Sequence, residues 1–184
     1  MKLKLMNASV VVAVLTTLGG LIFVPAAVAA VAGQDKAEPD PVSDSAQAEA
    51  TRIQQIRTAA PASIVQQATI ISPKGEVLQK GAGEWVCRIA GQNGKTPACL
   101  DSQFRAYLKA RLQGKKPHVE RLGVAYMFHG MTTGSGMFIP PHIMLVVPDP
   151  THLKGHPTEP QTGTPWVMKA DTPYAHLMLP VGGG

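Results

Sequence analysis

The chain has 184 residues, 45% of them hydrophobic but only 5% aromatic, and a formal charge of +5. This length suits one ordinary domain and leaves little for a second. The positive balance falls to about +3 without the two lysines of the opening segment, too little to imply a nucleic-acid partner.

Lys2 and Lys4 precede an uncharged apolar run from Ala8 to Val24, then Pro25 and the small-x-small sites Ala27-Val28-Ala29 and Ala30-Val31-Ala32. Residues 1–32 therefore read as an export signal cut after Ala29 or Ala32, which predicts a periplasmic or secreted protein. The run to Ala32 is also long enough for a membrane span, which needs ~20 apolar residues. Gly19-Gly20 and Pro25 interrupt it where a signal ends its core, so membrane contact is expected only through an uncleaved signal. No lipid anchor is predicted, because the first cysteine is Cys87.

Residues 33–62 read as a flexible leader, charged and Pro-rich over 33–42, with a short helix from Ser43 to Ala59, thinly apolar at Ile53 and Ile56 and stopped by Pro61. Residues 63–184 read as a single globular domain. Strand character starts near Ile64. Thr69-Ile70-Ile71 and Glu76-Val77-Leu78-Gln79 flank a Pro73-Lys74-Gly75 turn, as in a hairpin. A third strand is predicted at Glu84–Ile89.

Cys87 and Cys99 follow, and in an oxidising compartment they are expected to form a structural disulfide. Two sulfurs alone make a poor metal site, and the spacing is not that of a redox C-x-x-C pair. The enclosed segment, Arg88 to Ala98, reads as a flexible loop with little to bury. Asp101 or Ser102 then caps a helix over 102–113, with Phe104, Leu108 and Leu112 on its docked face. Strands are predicted again at Leu122–Phe128, His142–Val147, Trp166–Met168 and Tyr174–Val181. The predicted fold class is α+β: a mainly antiparallel sheet of about five to six short strands, one docked helix, and long Pro/Gly-rich loops.

The segments Trp85-Val86-Cys87, Cys99-Leu100-Asp101, Val124–Met127, Pro141–Met144 and Thr172–Met178 resemble an uncharacterised family of exported bacterial proteins. The resemblance spans about residues 70 to 181. It implies one domain and an exported address, and carries no known activity.

The chemical clue is a pair of His-x-Met elements, His142-Ile143-Met144 and His176-Leu177-Met178. In a strand, residues i and i+2 share a face, so neighbouring strands would bring two imidazoles and two thioethers together. Imidazole with thioether is a soft ligand set suited to Cu(I). Met127, Met131, Met137 and Met168 lie in adjoining segments, and Trp166 could wall the site. A plain reading competes: methionine fills irregular cores, and this core is short of aromatics.

Other constellations are weaker. Asp149, His152 and His156 resemble a ligand run, but Gly155 and Pro157 prevent one helix from presenting both histidines. Pro150 starting a single turn capped by Asp149 explains them as well. Gly134-Ser135-Gly136 lacks the G-x-S-x-G elbow, and no catalytic residues are assigned. Arg105, Lys109, Lys115 and Lys116 are basic residues able to contact an anionic surface, although such a run is commonly the solvated side of a docked helix.

Together these features predict a small exported binding or structural domain, with copper or a small ligand held at His142, Met144, His176 and Met178. The alternative is an interaction module for another envelope protein. An enzyme of unknown reaction stays open through the long loops 130–141 and 148–165.

Overall fold

In the computed structural model, residues 41–90, 94–160 and 163–182 are described. The predicted export signal and the predicted leader through residue 40 lie outside them.

Helix α1 (Pro41–Arg57) starts on a proline, whose fixed φ suits the first helical turn, and carries Asp44 early and Arg57 late, matching the helix dipole. Its thin apolar stripe suffices for docking. Ile56 is fully buried among Ile70, Cys87, Ile89 and Cys99. The strand expected from Ile64 begins only at Thr69. Pro61 instead presents its carbonyl to the N–H groups of Ile64 and Val65, closing a single helical turn, α2 (Ala62–Val65).

Strands β1 (Thr69–Ile71) and β2 (Val77–Gln79) form the expected hairpin, with a register shift between Ile70 and Ile71. The Ser72 hydroxyl accepts from the N–H groups of Lys74 and Glu76 and holds the turn. Beyond it, β3 (Val86–Ala90) pairs with β4 (Thr96–Leu100). Here the expectation of a loop over Arg88–Ala98 fails, because the segment contributes parts of two strands and every residue of β4 is buried. Pro97 conceals this strand in the sequence. It is tolerated because β5 reaches β4 only at Cys99 and Leu100, so Pro97 pairs on one side alone.

The remaining elements are α3 (Ser102–Leu112), β5 (Gly123–Met127), β6 (Met131–Thr132), β7 (Phe138–Ile139), β8 (His142–Val146), a 3-10 turn (Pro150–Leu153), β9 (Trp166–Met168) and β10 (His176–Pro180). The fold is α+β, with more strands than expected. Eight form one mixed sheet in the order β2-β1-β3-β4-β5-β8-β10-β9, parallel only between β1 and β3, and β6 with β7 forms a separate hairpin. Helix α1 covers one face near β3 and β4. Helix α3 and the β6–β7 hairpin share the other face.

Asp101 places α3. Its carboxylate accepts from Phe104 N–H at 2.7 Å, capping the helix, and from Val124 N–H at 2.9 Å, while its own N–H donates to the Val124 carbonyl at 3.0 Å. Gly123 lets the helix come this close: a Cβ there would lie 2.6 Å from Val146 Cγ2 and 2.9 Å from Phe104 N. The docked face differs from the expected one. Phe104 and Tyr107 are buried and Leu108 is half-buried, but Leu112 is 77% exposed, so the contact ends one turn early. Arg105 and Lys109 face solvent as expected.

Cys87 and Cys99 sit directly opposite each other in β3 and β4 and are disulfide-bonded, with Cα atoms 4.0 Å apart. Protein purified and alkylated without reductant should therefore show no mass shift at either cysteine. Two modified cysteines would contradict the pairing. For α3, Phe104→Ala should cost about 3–5 kcal/mol in denaturant unfolding. Leu112→Ala should cost under about 0.5 kcal/mol, as an exposed position does.

Candidate soft-metal site on the His-x-Met strands

His142 opens β8 directly after Pro140 and Pro141. Its imidazole is 1% exposed, and Nδ1 lies 2.6 Å from the Pro140 carbonyl oxygen. A carbonyl can only accept, so the proton of the neutral ring sits on Nδ1 and Nε2 carries a bare lone pair. Burial pushes the pKa of this histidine down and favours that neutral form. Among the described residues, His142 Nε2 is the buried side-chain nitrogen or oxygen left without a hydrogen-bond partner.

His176 repeats the device at the start of β10, with Nδ1 2.9 Å from the carbonyl of Tyr174, again two residues back. Its surroundings are different. The Tyr107 hydroxyl of α3 donates to the same carbonyl at 2.9 Å and lies 3.1 Å from His176 Nδ1. The Tyr107 and Phe104 rings meet the imidazole edge-on, with centroids 5.7 and 6.4 Å away. Burial lowers the pKa of His176 to about 4.

The two His-x-Met strands are direct neighbours, and all four predicted side chains share one face. Met144 stands opposite Met178, and His142 opposite Pro180. Because the pair is antiparallel, the histidines occupy opposite ends. Four residue steps, or about 13 Å, separate their positions along the strands. The structure thus brings Met144 and Met178 together and keeps His142 and His176 too far apart to close on one ion.

The rest of the face is rich in sulfur. Met127 of β5 is the cross-strand partner of His142, Ala125 is the partner of Met144, and Trp166 of β9 is the partner of Met178. Met131 of the β6–β7 hairpin packs over this layer with Ile139, and Met168 pairs with His176 at the far end. Alternation in Val124-Ala125-Tyr126-Met127 was the available sign that Met127 would join the layer. The tie between Tyr107 and His176 had no sequence signal, since α3 and β10 are distant in the chain.

The other candidates stay dispersed. Asp149 accepts from Thr151 N–H at 2.9 Å and caps the 3-10 turn, and that hydrogen bond holds its carboxyl below the usual range. His152 Nε2 lies 3.9 Å from Asp149, both exposed, while Gly155 takes a φ of 88° and turns His156 off that element. Asp149 and His156 line a cleft of about 650 Å³ with Lys116, Lys154 and Asp171. Arg105 donates to the Glu84 carbonyl at 3.0 Å, and Lys109, Lys115 and Lys116 are exposed. No group of three or more His, Cys, Asp or Glu among the described residues could hold a metal ion. Any metal on this face would therefore rely on thioethers.

No family model, no curated protein and no solved structure matches this chain. The disulfide is compatible with an exported protein, and no helix among the described residues is long and apolar enough to cross a membrane.

The depressed His176 pKa fixes a pH dependence. In the unfolded chain the ring gains a proton below about pH 6.5, whereas in the folded chain it stays neutral to about pH 4. The unfolded state thus binds more protons in that window, and stability must fall as pH drops through it. The loss should be on the order of 3 kcal/mol between pH 7 and 4. Urea unfolding at several pH values checks this, and His176→Asn should flatten the slope.

Proposed function

We propose that this protein is an exported soft-metal-binding domain that takes up Cu(I) on the thioether-rich face of β5, β8 and β10. The observation that carries the reading is the unpartnered, buried Nε2 of His142 among methionines. A histidine that holds a metal through one nitrogen characteristically donates its other N–H to a carbonyl or carboxylate, as His142 does to Pro140. Thioethers also suit an oxidising compartment. The two thiols of the chain are locked in a disulfide, leaving methionine sulfur as the soft donor.

A second reading is supported by a groove of about 380 Å³ beside α3. Its floor is Ile71, Val86, Leu100 and Leu108, and Arg88, Arg105 and Lys109 stand at its rim. This surface suits an interaction module that meets an acidic partner.

Cu(I) titration against a competing chelator separates the two readings. Wild-type protein should bind one equivalent, and a His142→Ala, His176→Ala double variant should lose at least tenfold in affinity. Equal, weak uptake by both proteins would leave the interaction module as the better account.

A further inference from the structure

We propose that the metal is held as a monovalent ion at the β5–β8 end of the layer alone, by His142 Nε2 and the thioethers of Met127 and Met144, with Met131 of the β6–β7 hairpin closing over it. His176 takes no part. This inference rests on the soft-metal reading and adds the ligand set, the charge of the ion and the element that closes the site.

The two His-x-Met strands are related by a local two-fold about the Met144–Met178 pair, which puts an equivalent imidazole at each end. The ends differ in what covers them. Over His176 lie Phe104 and Tyr107 of α3, and the Tyr107 hydroxyl is bonded to the carbonyl that accepts from the imidazole. That end is filled by rings, and the His176 Nδ1 is satisfied by hydrogen bonds. On the face beside His142 stand the cross-strand Met127 and, two residues on, Met144, while the hairpin methionine Met131 packs against the clusters that hold Met127 and Met178. Its Nε2 has no partner, whereas buried nitrogens are nearly always satisfied.

The charge of the ion follows from the donors. An imidazole and thioethers are all neutral, so nothing in the set offsets the charge of a bound ion. The cost of burying an ion grows with the square of its charge, so a divalent ion is penalised far more than Cu(I) or Ag(I). Soft donors select the same ions.

The β6–β7 hairpin is suited to closing the site. It forms its own two-stranded sheet, carries Met131 inward, and exposes Met137 and Phe138 near its tip. Its root is fixed at Gly130, which has a φ of 63° and packs so closely on the Ile139 carbonyl that any side chain would collide. This contact draws the two ends of the hairpin together where the chain enters β8.

The test uses Ag(I), which has no redox chemistry to confuse the titration, and Cu(I) beside it, with Zn(II) as the divalent control. Single variants are compared: His142→Phe, His176→Asn, and the volume-conserving Met127→Leu, Met144→Leu and Met131→Leu. Circular dichroism checks that each is folded. His142→Phe, Met127→Leu and Met144→Leu should each weaken Ag(I) binding at least tenfold, Met131→Leu should weaken it severalfold, and His176→Asn should leave it within twofold. Nitrogen NMR of the wild type should show Ag(I) shifting His142 Nε2 and leaving His176 unmoved. If His176→Asn weakens binding as much as His142→Phe, or if His176 shifts too, the one-histidine site is overturned while soft-metal binding stands. If wild type binds neither Ag(I) nor Cu(I), or binds Zn(II) as tightly, the soft-metal reading falls and the site with it.

Discussion

The carboxylate of Asp101 sets the arrangement on which the rest depends. One side chain, 2% exposed, caps α3 through Phe104 and clamps β5 through Val124. Cap and clamp together hold the helix at one angle to the sheet. A capping residue is commonly worth about 1 kcal/mol. Losing this one would also strand a part-buried Val124 N–H, so the damage would extend from helix to sheet. Gly123, next along β5, removes the Cβ that would push the helix away.

From that placement follows the asymmetry of the sulfur-rich face. Tyr107 lies about one and a half turns after the cap, and it reaches His176 because Asp101 anchors the helix at the β5 end. The opposite end of the same strand pair lies beyond the helix and falls to the short β6–β7 hairpin. Two equivalent histidines consequently meet different environments: one packs under aromatic rings, the other lies among thioethers.

Much of this was legible in the sequence where the signal is local. The turn at Pro73–Gly75, a helix start at Asp101 or Ser102, and the strands holding both His-x-Met elements follow from periodicity and turn chemistry, and each appears in the structure, with Asp101 as the cap. What escaped depended on tertiary context. β4 was hidden by Pro97, whose one-sided pairing is visible only once β5 is seen to stop short. Leu112 continued the apolar spacing of α3, but it lines an open groove with Ile71, Val86 and Leu108 and stays exposed. The shared face of His142, Met144, His176 and Met178 could be read from a period of two. Strand direction could not, and it is the antiparallel sense of β8 and β10 that moves the histidines apart.

The two borders of the large sheet have a consequence for the protein at high concentration. At one border β2 is three residues long and its pairing with β1 shifts register beside it. At the other, β9 is equally short, and its Val167 N–H already donates to the Pro157 carbonyl of a neighbouring loop at 2.7 Å. Neither border offers a long run of free N–H and C=O groups on which a strand from another chain could grow. The eight-stranded sheet thus ends in two blunt seams. Short, irregular rims of this kind give strand-by-strand growth little to template on.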